Sequence, residues 1–366
     1  MKAKAAIYDG SGTPVVKIND VDLAPPRAHE ILVRIISVGI CHTDLGMMSP
    51  ASMVPPPIVL GHEGAGVVED IGSDVTEFSI GDSVVLSIDH CGKCPSCHEE
   101  NPAYCEEMLI RHFSGGRPDG SSPISLNGSR INGNFFAQSS FANYAIAPAS
   151  AAVKISADVP LELMGPLGCG IQTGAGTVFN ICKPKAGEGI AVFGVGTVGL
   201  SAIMAAKVAK CHPIIAVDIN PERLELAKEL GADVVINGAE QDTLQIIKDE
   251  TNQRGVEYSF DTSGVIDVIK QAFACLYKNG LCVLAVAYED IPINGVELIM
   301  GKTVRGTLEG ESNPKIFIPY LIDLYKKSEL PIDKLVKFYP FEDINKALDD
   351  ALKGKTIKPI LMMPSY

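Results

Sequence analysis

The chain has 366 residues, 46% of them hydrophobic and 20% charged, with a formal net charge of −13. These are globular proportions, and the length suits about two domains. The acidic balance argues against general binding to nucleic acid or to an anionic membrane, since both need positive patches.

The first part of the chain reads as β-rich. Residues 31–38 form an apolar run closed by Gly39, and 66–72 and 83–86 are shorter strand-like runs beside turn residues. Pro55, Pro56 and Pro57 make a stiff loop, and residues 111–134, rich in Gly, Ser, Pro and Asn, read as one long loop. From about residue 186 the rhythm becomes strand, helix, strand. Strands are expected at 190–193, 213–218, 233–236, 257–261 and 281–286. A helix is expected over 200–210. Another begins at the Asn220 cap with Pro221 first and stops at Gly231. A third covers 266–277 and is ended by Asn279-Gly280. This alternation predicts an α/β unit with a doubly wound parallel sheet. Two amphipathic helices near 316–327 and 341–353 complete the pattern. The uncharged stretch 189–206 has the hydropathy of a membrane span, but its four glycines predict strand, turn and helix instead.

Gly194, Val195, Gly196, Thr197, Val198 and Gly199 spell G-x-G-x-x-G between an expected strand and an expected helix. The first glycine serves a tight turn, the second the approach of a pyrophosphate, and the third close helix–strand packing. The helix N-terminus then offers N–H groups to phosphate. Asp218 ends the next strand, where a carboxylate accepts from the ribose hydroxyls of NAD and repels the 2′-phosphate of NADP. NAD is therefore the expected cofactor.

Ten cysteines need a reason, and four of them, Cys91, Cys94, Cys97 and Cys105, fall in one short stretch. Met1–Asp9 lacks the long apolar run of a secretory leader, so a cytoplasmic setting is expected, where clustered cysteines favour metal over disulfides. Four thiolates make a closed tetrahedral zinc site of the structural kind. Buried free thiols and an iron–sulfur cluster are the competing readings. Cys41, His62 and Cys169 each stand alone in the sequence, and spacing does not bring them together.

The chain resembles the zinc-dependent medium-chain alcohol dehydrogenases over essentially its whole length. The resemblance is carried by residues 39–44, by 61–68, by the four-cysteine lobe, by 168–174 and by the nucleotide motif. Residues 160–176 and 338–341 read most like the aryl-alcohol (benzyl-alcohol) branch. It implies a GroES-like β-rich catalytic domain, 1–170 and 309–366, and a Rossmann cofactor domain, 171–308. It implies two zinc ions per chain. One is structural, held by Cys91, Cys94, Cys97 and Cys105; one is catalytic, held by Cys41, His62 and Cys169 with an open fourth position. Thr43 would take the alcohol proton, Asp44 would orient His62, and Glu63 would lie behind the zinc. Thr173 is implied near the nicotinamide, His42 and Lys358 at the pyrophosphate, and Arg223 near the adenosine. The activity implied is reversible NAD-dependent oxidation of a primary alcohol to its aldehyde through an alkoxide on zinc and hydride transfer to nicotinamide. The alcohol would be aromatic or allylic, with pocket residues around Ser87, Ile88, Phe113 and the segment after Cys105. A homodimer or homotetramer is implied, with 302–308 a candidate edge strand. Many relatives carry a relay histidine where this chain has Gly46, and often an Arg in place of His42. The alternatives are a polyol or secondary-alcohol dehydrogenase, against which Cys169 speaks, a zinc-free quinone reductase, and a zinc-ribbon protein fused to a nucleotide sensor.

Overall fold

Strands with a buried face dominate the early chain, as the apolar runs in Lys2–Tyr8 and Glu30–Gly39 require. The computed structural model describes residues 1–49 and 52–364. The chain divides into two units. The first contains Met1–Cys169, Asn313–Ile322 and Ile332–Tyr366; the second contains Gly170–Ser312 and Asp323–Pro331.

The first unit is built on two sheets. One has seven strands, in the order Ala152–Lys154, Ser83–Leu86, Glu63–Ile71, Glu30–Gly39, Lys358–Met362 and Val336–Pro340, with Tyr144–Pro148 also on Glu30–Gly39. Its register decides where chemistry can occur. Gly39 pairs with Glu63, and Ile360 pairs with Gly39. Cys41, His62 and Lys358 therefore leave three neighbouring strands at the same end. The other sheet has five strands: Ile58–Val59, Lys2–Tyr8, Val16–Leu23, Ile124–Leu126 and Ser129–Ile131. Val33, Val68, Leu86, Phe135, Phe141 and Leu348 belong to the shared apolar core.

The last two strands of that second sheet correct the expectation of a featureless loop over 111–134. Ile124–Leu126 and Ser129–Ile131 form a hairpin, with Leu126 opposite Ser129. Its two turn residues, Asn127 and Gly128, have φ of 51° and 80°. Asn-Gly is the pair that tolerates two such residues in a two-residue turn. Polar composition hid the signal. The same segment also begins inside the helix Met108–Phe113.

The second unit holds a six-stranded parallel sheet. Its order is Val234–Asn237, Ile214–Asp218, Ile190–Phe193, Val256–Asp261, Leu276–Leu284 and Thr303–Gly306. In sequence order this is 3-2-1-4-5-6, the arrangement of a doubly wound dinucleotide fold. The helix Pro221–Leu230 is capped as expected: Asn220 accepts from the backbone of Glu222 and Arg223, and Gly231 ends it. The third helix is shorter than expected. It covers Ile266–Ala274, and a strand begins at Leu276. Asn279-Gly280 marks a break in strand register, not a helix end. The uncharged stretch 189–206 is strand, glycine turn and helix, and among the described residues no helix is long and apolar enough to cross a membrane.

Candidate active site and cysteine lobe

Cys41 caps the short helix His42–Met47, and Asp44 sits three residues on in a reciprocal capping box. Asp44 is fully buried and makes three contacts. Oδ2 accepts from the Cys41 N–H at 2.9 Å, while Oδ1 accepts from the Gly61 N–H at 3.0 Å and meets His62 Nδ1 at 3.0 Å. A carboxylate only accepts, so Nδ1 carries the proton and Nε2 is left as a lone pair. That Nε2 is buried and has no hydrogen-bond partner. Gly61 turns the chain into His62 with φ of 88°, and a Cβ there would meet the Phe141 backbone nitrogen at 2.4 Å.

Ligand atoms of Cys41, His62, Glu63 and Cys169 all lie within 4.8 Å of one another. Two thiols and an unpartnered imidazole nitrogen suit zinc with one position left open. A hydrogen bond with Cys169 pulls the Cys41 thiol well below its ordinary pKa, although burial opposes it. Thr43 Oγ1 lies 3.7 Å from Cys41 Sγ. His42 is exposed at the start of its helix, and the space where a Gly46 side chain would begin is open to 4 Å.

Lys358, implied at a pyrophosphate, is buried beside Glu63. Its ammonium is 2% exposed and donates to Glu63 Oε1 at 2.8 Å, Glu63 Oε2 at 2.7 Å and the Ile40 carbonyl at 3.1 Å. All three N–H donors are engaged inside the first unit. Burial pushes the Glu63 carboxyl up despite that cation.

Cys91, Cys94, Cys97 and Cys105 also converge, with sulfurs within 4.8 Å of one another. Backbone N–H groups point at them: Cys91 N donates to Cys105 Sγ at 3.2 Å and Lys93 N to Cys91 Sγ at 3.5 Å. Hydrogen bonding led by the Glu106 backbone lowers Cys94 to about 7, while burial pushes Cys97 up to about 12. Four such sulfurs become thiolates together only around a cation, and a four-sulfur set fits structural zinc.

In the second unit the helix Thr197–Val208 begins at the Gly196 cap, directly behind the strand Ile190–Phe193. Thr197 and Val198 form its first turn. A Cβ on Gly199 would meet the Gly194 carbonyl at 2.0 Å, whereas one on Gly196 would meet nothing within 4 Å. Open space over Gly196 leaves room for an anionic group against the helix N-terminus. Asp218 Oδ2 accepts from Val195 N at 2.7 Å, which ties the strand-end carboxylate to the glycine turn. Arg223 lies in the first turn of the next helix. Thr173 lies on the helix Gly170–Gly176, its hydroxyl 3.3 Å from Glu309 Oε2.

Two family models match the chain: "Alcohol dehydrogenase GroES-like domain" over residues 27–157 and "Zinc-binding dehydrogenase" over residues 197–327. Geraniol dehydrogenase of Castellaniella defragrans is 40% identical over 99% of this chain and 98% of its own length. The chain belongs to the zinc-dependent medium-chain alcohol dehydrogenases. The dehydrogenase is also similar in structure to benzyl alcohol dehydrogenase of Acinetobacter calcoaceticus, at 43% identity and a TM-score of 0.96 over all of both chains. An alcohol dehydrogenase zinc-binding domain protein of Burkholderia ambifaria gives 43% and 0.97, again over all of both chains.

The dehydrogenase carries an aromatic cluster beside His62 that sequence reasoning missed, apart from Phe113. Phe136 stacks on the His62 ring with centroids 4.6 Å apart, and Phe135 meets the same ring edge-on at 5.5 Å. Phe113 packs edge-on against both phenylalanines. Gln138 anchors this loop, donating to the His62 carbonyl at 2.9 Å and accepting from Gly64 N at 3.1 Å. Adjacent phenylalanines in a polar stretch were the available signal. Ser87 donates to the Gly168 carbonyl at 2.7 Å and so braces the segment entering Cys169.

Proposed function

We propose that this dehydrogenase oxidises a primary aromatic or allylic alcohol to its aldehyde, reversibly, with NAD as the hydride acceptor. The observation that supports the substrate class is the aromatic cluster beside His62, in which Phe135 and Phe136 touch the imidazole and Phe113 packs edge-on against both. Aromatic walls favour flat, unsaturated ligands through stacked and edge contacts. The names of the geraniol and benzyl alcohol relatives, one allylic and one aromatic, support the same class.

Cys41, His62 and Cys169 would hold a zinc ion that would supply a Lewis acid to acidify an alcohol hydroxyl, and a bound nicotinamide would supply the hydride acceptor. The chain's own residues do the rest. Asp44 fixes the His62 tautomer so that Nε2 faces the metal. The Thr43 hydroxyl, beside Cys41, receives the substrate proton at Oγ1. With open space at Gly46, water takes the proton that the Thr43 hydroxyl releases as the substrate's arrives. Lys358 holds Glu63 as a neutralised pair behind the ligands. Asp218 selects NAD, since a carboxylate accepts from a ribose diol and repels a 2′-phosphate. The cysteine lobe holds the second zinc and takes no part in turnover.

The test is kcat/KM for benzyl alcohol, cinnamyl alcohol, geraniol, 1-hexanol and ethanol with NAD and with NADP. Unsaturated alcohols should exceed ethanol by at least about a hundredfold, near the scale of a well-filled apolar pocket. Equal use of ethanol would overturn the substrate class, and preference for NADP would overturn the role of Asp218.

A further inference from the structure

The rings around His62 continue one member beyond the substrate wall. His112 is 2% exposed and lies on the helix Met108–Phe113. Its ring is parallel to that of Phe136, at an angle of 2° and a centroid distance of 5.0 Å. Phe136 is thus held between two imidazoles, His112 on one face and His62 on the other.

Phe136 does not stay there by backbone preference. Its φ of 48° and ψ of 39° lie in the left-handed region, which is costly for a bulky residue. Asn134, Ala137 and Ser139 share positive φ, so the whole loop is forced. The forcing groups are visible. Ser139 Oγ accepts from Phe135 N at 2.9 Å and donates to the Val59 carbonyl at 2.6 Å, and Asn134 Nδ2 donates to the Gly116 carbonyl at 3.3 Å. These fix the backbone, and the outer face of the Phe136 ring is covered by His112.

His112 is itself pinned. Its Nε2 accepts from the Asp89 N–H at 3.0 Å, so the ring acts as a neutral acceptor. Asp89 also takes Arg111 Nη1 at 2.6 Å and Ser150 Oγ at 2.5 Å, and Arg111 bonds Glu107. Glu107 directly precedes this helix and stands two residues after Cys105. The imidazole is therefore held by Asp89, whose carboxylate is tied through Arg111 to Glu107 beside the cysteine lobe.

We propose that His112 is a positioning residue for substrate choice: its ring holds Phe136 flat against His62, so that the edge of the Phe136 ring, both faces being covered, forms a fixed aromatic rim of the substrate site. This rests on the aromatic-alcohol reading above. Without the imidazole, Phe136 gains a vacant face to relax into, and the rim that distinguishes a flat unsaturated alcohol from a flexible saturated one is lost. His112 touches neither substrate nor zinc in this account.

The test uses the zinc-loaded enzyme and compares wild type with His112→Ala, His112→Gln and His112→Phe. Gln keeps an acceptor for Asp89 N without a ring; Phe keeps the ring without the acceptor. The readouts are the ratio of kcat/KM for benzyl alcohol over 1-hexanol and, by calorimetry, binding of benzamide to the enzyme saturated with NADH. The ratio should fall about tenfold in Ala and Gln and stay near wild type in Phe, a stacking-contact effect. Benzamide binding should weaken in the same order with zinc content unchanged. If Ala does not fold, His112→Leu, which fills the volume without an aromatic face, replaces it under the same criteria. A wild-type preference that survives in both ringless variants overturns the positioning role alone. A wild-type enzyme with no preference for benzyl alcohol overturns the substrate reading beneath it.

Discussion

Two clusters of side chains that could hold a metal ion, both in the first unit, are built in opposite ways. The lobe of Cys91, Cys94, Cys97 and Cys105 draws all four ligands from one short loop, and the remaining polar contacts to sulfur come from nearby backbone N–H groups. The cluster of Cys41, His62 and Cys169 draws its ligands from three distant segments, and its support comes from side chains: Asp44, Lys358 and the phenylalanine loop. A local loop closes around a metal and uses every ligand. A site assembled across a sheet end can leave one position free and surround it with chosen walls. The same ion in the two places would therefore do different work, folding in one and chemistry in the other.

Removing a ligand from each cluster is the strongest way to break that comparison. Cys41→Ala should lower kcat by at least ~10³-fold, about 4 kcal/mol of transition-state stabilisation. NADH binding, followed by fluorescence titration, should stay within about twofold, because the glycine turn and Asp218 lie in the other unit. Cys97→Ala should do the reverse, lowering Tm by roughly 4 °C, about 3 kcal/mol for a chain of this size, with kcat per folded molecule largely kept. If Cys97→Ala is as stable as wild type, the lobe is not a folding site.

Smaller changes sharpen the contrast. Asp44→Asn keeps shape but loses the charge behind His62, and should weaken zinc at the open cluster by about 10–100-fold, measured by competition with a chelator. The closed lobe should be unaffected in that variant. His112, stacked on Phe136 and bonded to the Asp89 N–H, gives a pH signature. Burial lowers it from 6.5 to about 4. The unfolded chain thus binds a proton that the folded one refuses, so this contribution is present above pH 6.5 and is lost as the pH falls toward 4. Between about pH 6.5 and 5.5 wild type should lose roughly 1 kcal/mol that His112→Phe retains, measured by urea unfolding. Equal acid slopes would show that His112 is solvated.

These regions also differ in how legible they were. The parallel-sheet unit could be read directly, because the G-x-G-x-x-G turn, Asn220 cap and Gly231 stop are local signals with local causes. The cysteine lobe was legible for the same reason. The open cluster was not, since strand register brings Gly39 beside Glu63 and no spacing records that; only resemblance to a family joined its ligands in advance. The aromatic wall was missed because Phe136 sits in a left-handed loop held by Ser139 and Asn134, where neither helical nor strand periodicity applies. Lys358 was matched to a position by resemblance, and no spacing in the sequence records its ion pair with Glu63.

The most direct test is a zinc count by elemental analysis on wild type, Cys41→Ala and Cys97→Ala after dialysis against a mild chelator, with NADH binding measured on the same samples. An open catalytic cluster and a closed structural lobe predict two zinc ions per wild-type chain and one in folded, NADH-binding Cys41→Ala. One zinc in wild type, or two retained in Cys41→Ala, would contradict the division of labour between the two clusters.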